Sequence, residues 1–558
     1  MTAVDWIIIL VYFLIIAGIV WRSSQKTETT TDYFLAGRNV GWFAVGASLF
    51  ASNIGSEHIV GLAGSGAANG MAQAHWELHA WIMIMLAWVF VPFYYRAGVF
   101  TMPEFLEKRF DSRSRWVLSI VSLVAYVLTK VSVTVYAGAL VFRTLLPNTF
   151  GTPDDAFWIG AFTTVILTGI YTIFGGLRAV VYTEVMQTVL LLIGSIFITW
   201  FGLSALGGWG ELKSVLMENS EQFALWRPNS DPTFPWLGVM IASPIVGIWY
   251  WCTDQYIVQR TLAAKSLTDA RRGAIFGGFL KVWPVFIFLI PGMIGYALQS
   301  KGLLPILTDP DGNVIGDMVF PSMVANLLPV GLRGLVVGGL LSALMSSLAS
   351  LFNSCATLFT IDIYEKLWPG RAEKQLVKVG RIATSVVVFF GILWIPVMKR
   401  MAEGNAGLYD YLQNVQGFLA PPITAVFLLG IFNKRINASG AFYGMIIGFF
   451  LGMVKLTVQS LYQNGMIDGS GFFGALGAFN GYYFAGVLFL ISVVLIVAIS
   501  YASEAPDLTA ISGLTFATVT DEQRDENRAS WGTPEVIGTI VVLGLVAGVY
   551  IYFSFWLN

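Results

Sequence analysis

Charged residues are scarce in this chain of 558 residues, since only 12% of them are Asp, Glu, Lys or Arg, whereas a soluble domain has about 25%. Hydrophobic residues make up 56% of the chain, and its mean hydropathy is +0.71. A soluble monomer of this composition would expose more apolar surface than soluble proteins tolerate. We therefore expect an integral membrane protein. Its net charge of −1 argues against a nucleic-acid partner.

Cysteine is also rare, and the two that are present, Cys252 and Cys355, lie in apolar segments. They cannot form a disulfide framework, and we interpret them as buried packing residues. We also expect no cleavable signal, because "VDWIIILVYFLIIAGIVW" is too long for one and no small-residue cleavage site follows it. We interpret this stretch as a retained first span. The longest loops, at about 208–234, 299–319 and 501–535, are too short to form a soluble domain.

Long apolar windows recur along the chain, and a membrane crossing needs about 20 mostly apolar residues. The sequence predicts an all-α polytopic membrane protein with about 14 transmembrane helices. A short surface helix is expected at the start of the ninth window, which is too long for one straight helix. The windows are 4–22, 41–70, 73–97, 116–146, 154–174, 180–207, 235–256, 272–298, 320–365, 377–399, 407–432, 437–461, 477–500 and 536–556.

The distribution of basic residues predicts the orientation. Of the 32 Lys and Arg residues, 22 lie in one set of alternate loops and 7 in the other set, the remaining three being inside spans. Cytoplasmic loops are enriched in Lys and Arg, so the first set is expected to be cytoplasmic. Both termini are then expected on the outer side of the membrane.

Polar residues inside the spans are costly in lipid and are therefore functional candidates. The second window holds a polar cluster in "SLFASNIGSEHIVGLAGSG", which should break the helix and free backbone carbonyls beside a cavity. A tightly packed interface of small residues is the alternative. The cluster consists of Ser52, Asn53, Gly55, Ser56, Glu57 and His58.

A second cluster, "QAHWELHAW", contains Glu77 between His75 and His79. Residues four apart share a helix face, and Glu77 should therefore point away from both histidines. We expect Glu77 to face the cavity and the two histidines to lie near the outer membrane surface. The spacing is not that of the H-E-x-x-H metal motif, although a metalloenzyme built on the three histidines remains an alternative.

Aromatic and cationic side chains follow in the seventh and eighth windows. Tyr250 and Trp251 could stack on a sugar ring, or belong to an interfacial aromatic belt. Lys281 could reach the cavity, or extend to the membrane surface.

Hydroxyl and amide side chains lie in the ninth and eleventh windows. The hydroxyls of Ser346 and Ser347 suit Na⁺, or could bond back to their own helix. Gln413 and Gln416 share one helix face and should line a wet cavity. Taken together, these groups suit a neutral polyhydroxylated solute coupled to an alkali cation.

Seven stretches of the chain resemble the sodium/solute symporters, and within them the sodium/glucose cotransporter branch. The resemblance implies a leucine-transporter-type core with two inverted five-helix repeats, spans two to six (about 41–207) and seven to eleven (about 235–432). We expect a peripheral segment 1–40, repeats within 41–234 and 235–435, and a peripheral segment 436–558. The stretches are "DYFLAGR", "GASLFASNIGSEHIVGLAGSGAA", "TMPEFLEKRF", "IWYWCTDQYIVQRTLAAK", "GLRGLVVGGLLSALMSSLASLFNS", "TLFTIDIY" and "APPITAVFLLGIFNKR".

The resemblance also implies site residues, with Tyr250 as an inner gate beneath the sugar and Na⁺ as the coupling ion. No other cofactor, no catalytic residue and no enzyme activity are expected. The implied sugar site consists of Asn53, His58, Glu77, Tyr250, Trp251, Lys281 and Gln413. The implied sodium site consists of the backbone carbonyls of Ala51, Ile54 and Ala343 and the hydroxyls of Ser346 and Ser347.

Three positions depart from the pattern of glucose carriers. Gly247 replaces a hydroxyl or amide side chain, Gln416 a threonine, and Tyr409 a phenylalanine of the outer gate. Relatives that couple to two ions carry a hydroxyl where this chain has Ala349 and an aspartate where it has Glu184. One Na⁺ per sugar is therefore expected.

The expected function is import of a glucose- or galactose-type hexose by alternating access, with the bilayer, Na⁺ and the sugar as partners. The alternatives are a carrier of myo-inositol or another neutral polyol, and a channel or sensor built on the same fold. The lack of animal-type cysteines and of long outer loops predicts a bacterial inner-membrane protein.

Overall fold

The computed structural model describes residues 1–24, 28–55, 57–146, 149–306, 314–402 and 408–557, and this part of the chain is nearly all helical. Twelve helical runs within it are long and apolar enough to cross a membrane. The two longest of these runs, His58–Ala97 with 40 residues and Pro153–Leu206 with 54, are each long enough for two crossings. The first combines the end of the second span with the third span. The second is divided at Gly176, whose φ of 55° and ψ of −161° are not helical.

Division of these two runs produces the fourteen crossings predicted from the sequence. In chain order they are Ala3–Ser24, Trp42–Asn53 with Glu57–Leu62 and Ala63–Asn69, 74–97, Ser112–Leu145, the two parts of Pro153–Leu206, Trp236–Ile248 with Trp249–Thr253 and Gln255–Leu262, Leu267–Ser300, Leu332–Leu367, Glu373–Ala402, Leu408–Phe432, Ala438–Gln463, Gly481–Ala502 and Thr533–Ser554.

Shorter helices lie between the crossings. A separate short helix before the ninth span was predicted and is found as Val319–Leu327, but five of its nine residues are buried. The others include Thr30–Leu35, Met102–Arg109, Trp209–Met217, Gly471–Ala478 and Asp521–Ala529.

The ninth span lies in the centre of the molecule, since 94% of its most apolar window is buried, compared with 22% for the first and the fourteenth spans. The second and eighth spans approach each other very closely. A Cβ atom on Gly292 would lie 1.9 Å from the carbonyl oxygen of Ala63. Only glycine permits this backbone contact.

Two spans are interrupted in the interior of the molecule. The helix Trp42–Asn53 ends at Ile54, whose φ of −84° and ψ of 90° are extended. In the seventh span the break is at Asp254, with φ −80° and ψ 126°, whose carboxylate accepts a hydrogen bond from the backbone N–H of Tyr256. A helix end leaves backbone groups without partners in the helix, so both breaks present polar backbone inside the protein.

Candidate substrate and cation sites

A cavity of about 50 Å³ lies between the two breaks. One water molecule needs about 10–15 Å³ of such space, so the cavity is small but polar. All seven residues of the predicted sugar site line it. The complete lining is Asn53, His58, Trp76, Glu77, His79, Lys130, Thr134, Val246, Gly247, Tyr250, Trp251, Tyr256, Lys281, Leu351, Gln413 and Gln416.

Lys281 is the centre of a polar chain along the cavity wall. Its Nζ donates to Oε2 of Glu77 at 2.5 Å and to Oδ1 of Asn53 at 2.7 Å. Nδ2 of Asn53 in turn donates to the hydroxyl of Tyr250 at 3.1 Å. Nε2 of His58 lies 3.5 Å from Oε1 of Glu77. Lys281 therefore does not extend to the membrane surface, because its side chain is 2% exposed and ion-paired in the interior.

A second ion pair lies beside the cavity. Nζ of Lys130 donates to Oδ2 of Asp254 at 2.6 Å. The same ammonium lies 4.6 Å from the ring centre of Tyr256 and 4.7 Å from that of Tyr250. Both Lys130 and Asp254 were recognisable as ionisable residues within spans, but the sequence did not indicate that they pair. Each lysine that lines the cavity is thus matched by a carboxylate, and the cavity suits a neutral ligand.

The aromatic and amide residues of the cavity come from the seventh and eleventh spans. Tyr250 and Trp251 are in edge contact, with ring centres 5.0 Å apart, and Trp251 is 1% exposed. They therefore face the interior and not a membrane interface. Oε1 of Gln413 is buried without a hydrogen-bond partner among the described residues. Of the three departures from glucose carriers, Gly247 and Gln416 line the cavity, and the side chain of Tyr409 lies outside the described part of the chain. Two members of the polar cluster in the second window, Ser56 and the side chain of Glu57, also lie outside it.

The position predicted for His79 was wrong, because its side chain lines the cavity together with that of Glu77. The prediction assumed a regular helix, but the short helix Ala74–Glu77 ends there and the next one begins at Ala80. Leu78 has ψ of 21° and His79 has ψ of 7°. This interruption turns residues two apart toward the same side.

The three histidines have separate environments. His58 faces Glu77, His75 lies 3.1 Å from both the carbonyl oxygen of Leu225 and the hydroxyl of Tyr550, and Nε2 of His79 lies 2.7 Å from Oγ of Ser243. Within the described residues, no group of three or more His, Cys, Asp or Glu side chains is placed to hold a metal. The three histidines predicted in one neighbourhood are therefore not brought together in one site.

The predicted sodium site lies where the second span breaks against the ninth. Oγ of Ser346 donates to the carbonyl oxygen of Ala51 at 3.2 Å. Oγ of Ser347 donates to the carbonyl oxygen of Ser52 at 3.3 Å. The sequence did not indicate this carbonyl, which lies beside the predicted ligands. Ile54 forms the break itself, and Ala343 is buried one turn before Ser346 on the ninth span. The carbonyls of a helix end and two facing hydroxyls are hard oxygen donors of the kind that alkali cations take.

Glu184 of the sixth span forms a further oxygen cluster nearby. Its Oε1 accepts hydrogen bonds from Ser350 at 2.5 Å, from Ser52 at 2.8 Å and from Ser346 at 3.3 Å. The guanidinium of Arg260 lies 3.5 Å from the same oxygen, and both side chains of this ion pair are fully buried. Arg260 was predicted in a cytoplasmic loop, and this was wrong. The helix Gln255–Leu262 follows the break in the seventh span, and Arg260 on this helix is buried in the protein interior.

Comparison with solved structures defines the class of fold. The structure resembles that of a Na⁺-coupled sialic acid symporter in a substrate-bound, outward-open state, with TM-score 0.72, 22% identity, and coverage of 91% of this chain and 99% of that one. It also resembles a closed nucleobase-cation-symport-1 family transporter, with TM-score 0.53, 13% identity and coverage of 92% and 98%. The fold is that of the leucine-transporter type, as predicted.

Comparison of sequences then defines the family. Residues 33–448 match the profile of the sodium:solute symporter family. The chain is 38% identical to sodium/glucose cotransporter 1 of Oryctolagus cuniculus over 538 residues, 91% of this chain and 80% of that protein. It is also 38% identical to sodium/myo-inositol cotransporter 2 of Homo sapiens over 558 residues, 95% and 81% of the two chains. The chain therefore belongs to the sodium:solute symporter family and is a multi-pass membrane protein.

Proposed function

We propose that this protein is a Na⁺-coupled symporter that imports a neutral hexose of the glucose or galactose type. The observation that carries the proposal is the cavity between the broken spans. Each lysine there is paired with a carboxylate, and the remaining surface is provided by amide and aromatic side chains. Such a lining can bond sugar hydroxyls without adding charge. The relatives that are named for glucose and for myo-inositol are equally identical to this chain, and myo-inositol is therefore the alternative substrate.

Coupling follows from the shared position of the two sites. The carbonyls of Ala51 and Ser52 and the side chain of Asn53 belong to the same helix end. A cation held by these carbonyls and by Ser346 and Ser347 would join the second span to the ninth. It would also fix the orientation of Asn53, which contacts Tyr250 and Lys281. Sugar would then bind, and rocking of the repeats would open the cytoplasmic side, with no covalent chemistry and no catalytic residue.

We propose a stoichiometry of one Na⁺ per sugar. The carboxylate of Glu184, which would be the charged ligand of a second ion, is already paired with Arg260 in a fully buried position. A second Na⁺ at this carboxylate would lie beside the positive charge of Arg260, and the repulsion between the two cations disfavours it. Ala349 packs in an apolar cluster with Tyr171 and Val180 and contributes no hydroxyl. At 100 mV, one charge supplies about 2.3 kcal/mol in addition to the concentration gradient.

We also propose the topology and repeat boundaries given by the sequence. The excess of Lys and Arg in one set of loops supports outward termini. The lack of animal-type cysteines and of long outer loops supports a bacterial inner membrane. The breaks at Ile54 and Asp254, near the start of each predicted repeat, support repeats within 41–234 and 235–435.

The proposed function is tested by uptake into proteoliposomes of the purified protein, driven by a Na⁺ gradient, with a panel of labelled hexoses and inositols. We expect accumulation of at least one hexose that depends on Na⁺, and exchange of labelled for unlabelled sugar in counterflow. A channel or sensor would show no counterflow, and that result would refute the proposal.

Stoichiometry is measured as the reversal potential at fixed Na⁺ and sugar gradients. We expect a slope that corresponds to one charge per sugar. A slope of two charges would refute the single-ion proposal.

A further inference from the structure

The imidazole of His79 packs against Gly247 of the seventh span. A Cβ atom on Gly247 would lie 2.9 Å from Cε1 and 3.0 Å from Nδ1 of His79, and 2.3 Å from Cδ1 of Ile82. Real Cβ contacts are longer, so His79 occupies space that a side chain at position 247 would need. The ring edge that carries Nδ1 faces the glycine, and both residues line the cavity.

Hydrogen bonds on the far side of the ring determine which nitrogen carries the proton. Nε2 of His79 lies 2.7 Å from Oγ of Ser243, and Oγ of Ser243 donates to the carbonyl oxygen of His75 at 3.1 Å. A carbonyl oxygen can only accept, so the single hydroxyl proton of Ser243 points to His75. Oγ of Ser243 must then accept from Nε2–H of His79. In the neutral imidazole, Nδ1 is consequently an acceptor.

We propose that Nδ1 of His79 accepts a hydrogen bond from one hydroxyl of the transported sugar, and that His79 and Gly247 together determine which hydroxyl pattern the cavity accepts. This inference rests on the proposed function. Lys281 is a donor and Glu77 is an acceptor, but they are bonded to each other. His79 instead provides an acceptor whose position is set by a hydrogen bond outside the sugar site. Glycine at position 247 places no side chain against that acceptor.

The experiment compares His79→Phe with the wild type, using the best-transported sugar of the panel and its single-deoxy derivatives. Phenylalanine retains a ring of similar size but has no acceptor. A sugar hydroxyl that is left unpaired in a buried site lowers the affinity by a factor of about fivefold to 150-fold. We expect the half-saturating concentration of the parent sugar to rise by that factor. For one deoxy derivative, the wild type and His79→Phe should have equal affinity, because the partner hydroxyl is absent from both complexes.

His75→Phe is the matched control. His75 lies four residues earlier in the chain, but its two nitrogens face Leu225 and Tyr550 and it does not line the cavity. We expect this variant to keep the wild-type order of preference among the deoxy sugars.

Gly247→Ala tests the role of Gly247, because the added methyl group would displace the His79 ring. We expect it to weaken the contribution of the same hydroxyl. Detergent-purified variants are first checked for a monodisperse elution profile, and either variant alone suffices for the test. Unchanged selectivity in a folded variant would overturn this inference alone. Absence of Na⁺-driven sugar uptake by the wild type would overturn the proposed function and this inference with it.

Discussion

Replacement of Gln413 by alanine should weaken sugar uptake without unfolding the protein. Oε1 of Gln413 is buried beside the cavity and has no hydrogen-bond partner among the described residues. Replacement by alanine therefore removes no hydrogen bond that Oε1 makes to the described residues, and it leaves no charge unpaired. In the complex, however, a sugar hydroxyl would lose its partner in a water-poor site, at a cost of about 1–3 kcal/mol. At about 1.4 kcal/mol per factor of ten, the half-saturating sugar concentration should rise about fivefold to 150-fold.

The assay is initial-rate uptake into proteoliposomes at saturating Na⁺ over a range of sugar concentrations. Gln459→Ala is the matched control, because Gln459 is also buried with an Oε1 that lacks a partner in the described part of the chain, but it lies on the twelfth span, away from the cavity. We expect the control to have the affinity of the wild type. If Gln413→Ala also has wild-type affinity, Gln413 does not bind sugar and its assignment to the site is wrong.

Three further predictions test the cation site and the two ion pairs. Ser347→Ala removes a proposed cation ligand and should abolish the Na⁺ dependence of uptake; uptake that still rises with Na⁺ as in the wild type would contradict this. Lys130→Met leaves Asp254 buried without its cation and should destabilise the protein by about 3–5 kcal/mol, measured as a lower Tm. Addition of Asp254→Asn should restore most of this loss. A double variant as unstable as the single one would show that the unpaired carboxylate is not the cause. Glu77→Ala should lose at least tenfold in uptake and also lower the Tm, because Lys281 is left unpaired. Addition of Lys281→Met should restore the Tm but not uptake, and recovery of uptake would remove Glu77 from the sugar site.

Membrane class and span number could be predicted from the sequence because the signal is local. About 20 consecutive apolar residues are sufficient to cross the bilayer, whatever the rest of the chain does. The same logic identified the candidate site. Polar groups such as Asn53, Lys281 and Gln413 are costly in lipid unless they face a cavity, and their presence within apolar windows is visible without a structure.

Pairing between spans was decided only by the tertiary structure. Lys130 and Asp254 are 124 residues apart, and Glu184 and Arg260 are 76 apart, and nothing local to any of them indicates the partner. The sequence therefore predicted Arg260 in a loop. In the structure it is a buried helical residue that is paired with the carboxylate of Glu184. Periodicity also failed for His79, because it presumes an unbroken helix. The interruption at Leu78 and His79 lies where the third span contacts the seventh, with Nε2 of His79 2.7 Å from Oγ of Ser243. It turns His79 into the cavity beside Glu77. Local hydrophobicity determines which segments enter the membrane, whereas the partner of each buried polar group depends on which spans the whole fold brings together.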